Sequence, residues 1–104
     1  MSTRRQAVGT VQIDDARMRV TEWRFAPGAA TGFHRHEYDY CVVPLTTGTL
    51  RIEGKDGVSE APLVAGRSYA RNAGIEHDVV NANPFEFVFI EVELKEPAKG
   101  PGSA

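Results

Sequence analysis

The chain has 104 residues, enough for one domain near the low end of what buries a self-sufficient core. Its 41% hydrophobic and 25% charged residues are typical of a globular domain and argue against a disordered chain or a membrane protein, and no apolar run approaches the length of a membrane span. The net charge of -2, with no basic cluster beyond Arg4 and Arg5, argues against nucleic-acid binding.

Turn residues recur roughly every eight to twelve residues, which is the spacing typical of many short strands. The stretches between them are rich in Val, Ile, Thr and aromatic residues, which favour strands. Strands are predicted at residues 8–13, 17–25, 33–45, 49–53, 58–64, 67–69, 78–81 and 85–94. We therefore expect an all-β fold, with a flexible segment at 1–7, one barrel domain at 8–95 and a disordered tail at 96–104.

The last predicted strand is apolar on both faces. Phe85, Phe87 and Phe89 point to one side, and the even-numbered residues from Val88 to Leu94 point to the other. One face is expected to line the barrel, and an isolated small barrel would leave the other face in water. The sequence therefore predicts a homodimer built on sheet surfaces, although parity alone does not say which face meets the partner.

Two features of the sequence bear on the cellular compartment of the protein. The first residues are polar and lack the apolar stretch of a secretory signal. Cys41 is the only cysteine, so an intramolecular disulfide is impossible and a reducing compartment is favoured. We expect a cytoplasmic protein.

The three histidines are the candidate chemical groups. His34 and His36 are separated by one residue on a predicted strand, so both imidazoles should lie on one face, and His77 must come from another strand. Imidazole is the commonest metal ligand in proteins, and two on one face suit a single ion. The alternative is that these are surface histidines or hydrogen-bonded core residues.

Two spaced motifs contain these histidines. The first is Gly28-(x)5-His34-x-His36-(x)4-Cys41-(x)6-Gly48, and the second is Gly66-(x)5-Asn72-x-Gly74-(x)2-His77-(x)3-Asn81. They resemble the cupin motifs G(x)5HxH(x)3-4E(x)6G and G(x)5PxG(x)2H(x)3N. The resemblance implies a small jelly-roll barrel of the cupin 2 conserved-barrel type, with one divalent metal ion on the three histidines. The segments at 23–28, 34–40, 43–50 and 87–95 also look like those of a group of small bacterial cupins, one of which is named for β-alanine degradation.

Two positions depart from the family pattern. Cys41 stands where the family usually has a ligand glutamate, and Asn72 stands where it has proline. As a thiolate, Cys41 would be a fourth and softer ligand; as a thiol it would pack as a small hydrophobe, which we favour. Asp39 would reach the ion only if the chain bulges after His36.

A small anionic substrate needs its own binding groups. Arg24, Arg51 and Arg71 lie on or beside predicted strands, and an inward guanidinium would hold a carboxylate. Tyr38 and Tyr40 would supply hydroxyl donors near the ion. An arginine on a strand is also common on the wet face, and tyrosines are also common as packing residues.

Three classes of function fit these observations. The first is a metal-dependent enzyme that acts on a small carboxylate or amino-acid metabolite, with iron(II) and dioxygen as one option. The second is a non-catalytic module that binds or senses a small molecule, and the third is a structural role without metal. The sequence does not choose among iron, zinc, nickel and manganese, because three imidazoles accept all of them.

Overall fold

The structure is a computed structural model and describes residues 4–96. Within this range the chain forms strands and turns, with no helix long and apolar enough to cross a membrane. The strands in chain order are β1 (Val8–Asp14), β2 (Met18–Phe25), β3 (His34–Arg35), β4 (Asp39–Pro44), β5 (Gly48–Gly54), β6 (Gly57–Leu63), β7 (Tyr69–Arg71), β8 (Glu76–Val80) and β9 (Phe87–Leu94).

The strands form two antiparallel sheets that face each other. A five-stranded sheet, here the large sheet, has the order β1-β2-β9-β4-β7, and a four-stranded sheet, here the small sheet, has the order β3-β8-β5-β6. Phe25, Phe87 and Phe89 of the large sheet pack with Leu50 and Val79 of the small sheet in one buried core. The predicted all-β jelly-roll barrel is confirmed.

Strand alternation decides which residues face the core. In β4, Tyr40 and Val42 are buried, whereas Cys41 between them is only partly buried and points to the opposite face of the sheet. In β9, Phe87 and Phe89 point inward, so the even-numbered residues form the outer face. The parity of the last strand, which the sequence left open, is thereby settled.

The predicted strand at 33–45 is wrong as a single element. His34 pairs with His77 in the small sheet, while the segment from Asp39 onward pairs with β9 in the large sheet. The chain therefore changes sheets between residues 36 and 38, and one continuous ladder cannot serve both. Two strand boundaries also differ from the prediction. The strand predicted at 67–69 lies at Tyr69–Arg71, and the last strand begins at Phe87, so that Phe85 lies outside it and is 43% exposed.

The N-terminal segment is bound to the barrel where the structure describes it. The Ala7 amide donates to the Ala30 carbonyl at 2.8 Å, and the Ala30 amide donates to the Arg5 carbonyl at 2.9 Å. Arg4 pairs with Glu53 at 2.7 Å, and Ala7 is 3% exposed. Residues 4–7 of the segment predicted to be flexible therefore contact the barrel. The predicted tail lies, apart from residue 96, outside the described residues.

Candidate metal centre

The fold brings the three histidines to one point. His34 lies directly opposite His77 in the pairing of β3 with β8, and His36 follows where the chain leaves the small sheet. The Nε2 atom of His36 is 3.0 Å from that of His34 and 3.0 Å from that of His77. The ligand atoms of the three side chains all lie within 4.8 Å of one another. The site thus contains ligand atoms from two separate segments of the chain, residues 34–36 and the strand that carries His77.

Neighbouring groups hold His36 in place although it lies outside any strand. Its amide donates to the Ile75 carbonyl at 2.9 Å, and its carbonyl accepts from the Gly74 amide at 2.8 Å. Its ring stacks on that of Tyr40, with 3.9 Å between centroids and 15° between planes. Gly74 has φ 98°, a backbone conformation that side chains with a Cβ rarely adopt. The turn before β8, which belongs to the second motif, therefore holds His36 of the first motif in position.

Burial keeps the imidazoles of His36 and His77 neutral. Desolvation, followed by the charge of His34, lowers the pKa of both His36 and His77 to about 4. His34 Nδ1 lies 2.8 Å from the Gly32 carbonyl oxygen, an acceptor, which assigns the ring proton to Nδ1 and leaves Nε2 with a free lone pair. Neutral imidazole with an unprotonated Nε2 is the form that binds metals.

The donor set fits a single metal ion. Nitrogen atoms bound to one ion at about 2.0–2.1 Å lie roughly 3–3.4 Å apart, depending on the coordination angle. The two measured Nε2 separations of 3.0 Å agree with that requirement. Three neutral ligands also leave a divalent ion its full charge and leave positions for further ligands. The residues therefore fit the ion that the sequence motifs imply.

The histidines open into a cavity between the two sheets. Its volume is about 360 Å³, which is suitable for a small metabolite. The aromatic side chains that line it are Trp23, Tyr38, Tyr40, Tyr69 and Phe89. The charged side chains that line it, apart from the histidines, are Arg19, Arg35, Glu37, Glu91 and Glu93. Both tyrosines expected near the ion, Tyr38 and Tyr40, therefore lie in the cavity wall.

The three arginines proposed as substrate anchors lie outside this cavity wall. Arg24 is on the outer face of the large sheet, where it pairs with Glu86 at 2.6 Å. Arg51 is exposed and pairs with Glu53 at 3.1 Å. The guanidinium of Arg71 lies 4.7 Å from the centroid of a neighbouring tyrosine ring. Arg24 and Arg51 therefore lie away from the histidines, whereas Arg71 lines a neighbouring pocket together with Tyr40, Tyr69 and His77.

The two additional ligands considered from the sequence also lie apart from the histidine cluster. The Asp39 carboxylate accepts a hydrogen bond from the Ala73 amide at 2.8 Å, which orders the turn before β8. Cys41 pairs with Val92 and Ala70 in the large sheet and does not line the cavity. Neither residue is in the group of ligand atoms within 4.8 Å of one another.

Sequence reasoning missed the charged residues of the cavity, above all Glu91. It is 9% exposed, and burial, then the nearby Glu93, raises the pKa of its carboxyl to about 7. A signal was available, because Glu91 and Glu93 continue the odd-numbered face of Phe87 and Phe89. Once that face is known to point inward, both carboxylates belong to the cavity wall.

Comparison with known proteins agrees with the fold and the motifs. The family model for the cupin domain matches residues 21–93. A β-alanine degradation protein, BauB, of Pseudomonas aeruginosa is 62% identical over 95 residues, which are 91% of this chain and all of that protein. The crystal structure of a cupin domain from Bordetella pertussis Tohama I is 51% identical with a TM-score of 0.90, over 92% of this chain and all of that one. A Klebsiella pneumoniae protein with a double-stranded β-helix domain, at 20% identity, 91% and 82% coverage and a TM-score of 0.71, shares the fold. The chain belongs to the cupin family.

Proposed function

We propose that this cupin binds one divalent metal ion through His34, His36 and His77 and acts as a metal-dependent enzyme on a small carboxylate or amino-acid metabolite. The observation that carries the proposal is the convergence of three Nε2 atoms, two pairs of them 3.0 Å apart, on a cavity of about 360 Å³. The printed name of the Pseudomonas relative, which refers to β-alanine degradation, supports this class of substrate.

The chain's own residues supply binding and proton-transfer groups around that site. A bound divalent ion would supply Lewis acidity and open positions for an anionic ligand or dioxygen. Burial raises the pKa of Tyr40 and of Tyr69, so both hydroxyls keep their protons at neutral pH and act as hydrogen-bond donors. Glu91, with a pKa of about 7, accepts or donates a proton near neutral pH. The cavity wall without ligand therefore contains one carboxyl group that exchanges its proton near neutral pH.

The proposal includes an assembly and a compartment. The outer face of the large sheet presents Val8, Ile13 and Leu94, which are 61%, 46% and 46% exposed, beside the partly buried Ile90. We propose that a second copy of the chain covers this face in a homodimer. A cytoplasmic location is proposed because Cys41 is a free thiol.

Metal analysis of untagged protein tests the central claim. We expect about one ion per chain after reconstitution with iron, zinc, nickel or manganese. His36→Ala should weaken metal binding by at least about a hundredfold, more than loss of an outer-shell partner does. Arg35→Ala, which removes the exposed side chain between the two histidines, is the control and should keep the ion.

The outcome of loading separates the alternatives. Wild-type protein that takes up none of these metals would refute the proposal and favour a structural role for the histidines. Oxygen uptake by the iron-loaded protein with short amino or hydroxy acids would establish catalysis. Metal and ligand binding without turnover, under any metal, would favour the non-catalytic binding module.

A further inference from the structure

Glu91 is a buried carboxylate without a cation beside it. It lies on the inward face of β9, opposite Val42 of β4 and Thr21 of β2, and is 9% exposed. Within residues 4–96 its side chain makes one hydrogen bond, from Trp23 Nε1 at 3.4 Å, and no ion pair. Burying a carboxylate with so little compensation is costly, which makes this position a poor choice for stability alone.

The nearest guanidinium on the same wall is bound elsewhere. Arg19 Nε lies 3.6 Å from an Asp14 carboxylate oxygen, and its Nη1 lies 3.7 Å from Glu93. Arg19 lowers the pKa of Glu91 only as a minor influence, after burial and the charge of Glu93 have raised it. Glu91 therefore remains available to a cation that enters the cavity.

Aromatic side chains share the cavity wall with the Glu91 carboxylate. Trp23, Tyr40 and Tyr69 line the same wall, and the two tyrosines are close enough to Glu91 for its charge to raise their pKa. The indole of Trp23 lies against Gly9, where a Cβ would meet a ring atom at 2.9 Å, so glycine at this position gives the ring its room. A cavity that combines a carboxylate with aromatic side chains is suited to an ammonium group, which is attracted both to the negative charge and to the ring faces.

We propose that Glu91 and Trp23 form an ammonium subsite, so that the ligand of this cavity is an amino acid whose carboxylate lies toward the three histidines and whose ammonium lies at Glu91. This inference rests on the proposed metal site and names its substrate class. The Glu91 oxygens are not in the group of ligand atoms that lie within 4.8 Å of one another, so Glu91 is a ligand-binding residue and not a fourth metal ligand. A plain carboxylic acid would leave Glu91 without a partner.

Matched pairs of ligands test the subsite. Cobalt-loaded full-length protein is titrated calorimetrically with β-alanine and propionate, and with 4-aminobutyrate and butyrate, while the visible spectrum of the cobalt reports ligand binding at the ion. We expect the amino acid of at least one pair to bind about tenfold or more tightly than its acid, because a charge-assisted hydrogen bond is added. Glu91→Gln should bring the two affinities together, with metal content and melting temperature retained.

Glu86→Gln is the matched control. It makes the same chemical change at an exposed carboxylate outside the cavity, which pairs with Arg24, and should keep the preference. An amino acid that chelates cobalt through its amino group would also bind tightly, but that preference would persist in Glu91→Gln and would overturn the proposal. Loss of the preference in Glu86→Gln would overturn it too.

Proton release provides a readout that does not depend on any variant. An ammonium group beside Glu91 lowers the pKa of its carboxyl, so amino-acid binding near pH 7 should release protons, whereas acid binding should not. Heats measured in buffers of different ionisation enthalpy report this release. The other ionisable groups facing Glu91 are Arg19, Tyr40, Tyr69 and Glu93. Burial raises the pKa of both tyrosines, so their hydroxyls keep their protons at this pH.

The failure of this inference differs from failure of the proposed function. Protein that loads cobalt and binds propionate as tightly as β-alanine, without proton release, keeps the metal site and overturns the ammonium subsite. Protein that loads no metal overturns the proposed function itself. If Glu91→Gln does not fold, the matched pairs and the proton release on wild-type protein still decide the question.

Discussion

Asn81 provides the sharpest test of how the barrel holds its site, because its side chain is fully buried and makes only internal hydrogen bonds. Its Nδ2 donates to the carbonyls of Phe25 at 3.2 Å, Ala26 at 3.3 Å and Phe85 at 2.8 Å. Its Oδ1 accepts from the amide of Asn83 at 3.0 Å and from Nδ2 of Asn83 at 2.8 Å. Asn81→Ala removes all of these. The two longest contacts share one hydrogen, so about four hydrogen bonds are lost. At about 1 kcal/mol for each bond, the free energy of unfolding should fall by about 3–4 kcal/mol.

Thermal and urea denaturation measure this loss. For a domain of this size, about 3–4 kcal/mol corresponds to a fall in melting temperature of more than about 10 °C. Asn72→Ala is the control, because Asn72 is exposed and should cost less than about 0.5 kcal/mol. Equal melting temperatures for wild type and Asn81→Ala would refute the reasoning. Metal affinity should fall with stability, since Asn81 directly follows the strand that carries His77.

Three further predictions concern other parts of the barrel. Cys41→Ser should leave metal content unchanged and cost about 1 kcal/mol by denaturation, since the thiol lies on the outer face; loss of metal would show that sulfur is a ligand. Phe87→Asp places a charge in the core and should give an unfolded protein, as judged by circular dichroism, whereas Ile90→Asp should give folded monomers, as judged by light scattering. A wild-type monomer at micromolar concentration would contradict the proposed dimer. In the wild type, the raised pKa of Glu91 means that the folded state binds the carboxyl proton more tightly than the unfolded state does, so stability falls as the pH rises from about 4.5 to 7. Glu91→Gln lacks this proton and should become more stable relative to wild type over the same range. A difference in melting temperature between the two proteins that is the same at pH 5 and pH 8 would contradict this prediction.

The site histidines could be predicted from the sequence because their spacing encodes the geometry. His34 and His36 are two residues apart and emerge on the same side, although the chain changes sheets there. His77 lies opposite His34 because β3 and β8 are paired in register, and the distance between the two motifs reflects that pairing. Local turn residues such as Gly74 mark where the second motif must bend. The fold class followed from the same spacing.

The residues of the cavity wall could not be predicted in the same way. The sequence shows which residues of a strand share a face, but not which of the two faces points inward. Arg24 was considered as an inward residue, but its neighbours Trp23 and Phe25 occupy the inward positions of β2. Arg19, four residues before Trp23, has the inward parity instead and lines the cavity. An arginine can pair with carboxylates on either face of the sheet, so the residue type alone does not say whether Arg19 or Arg24 points inward.

The inward face of β9 changes character along its length. Phe87 and Phe89 belong to the apolar core, and Glu91 and Glu93 follow at the same parity in the cavity wall. Successive inward positions on a strand are about 6.6–6.8 Å apart, so each exchange of residue types moves the polar boundary by that fixed step. The position of the carboxylates along this strand therefore sets how far the polar wall extends into the barrel. A carboxylate at position 89 would extend it deeper, and an apolar residue at position 91 with Glu93 kept would make it shallower, while the histidines stay in place. Ligands of different chain length could then be accommodated on one unchanged scaffold.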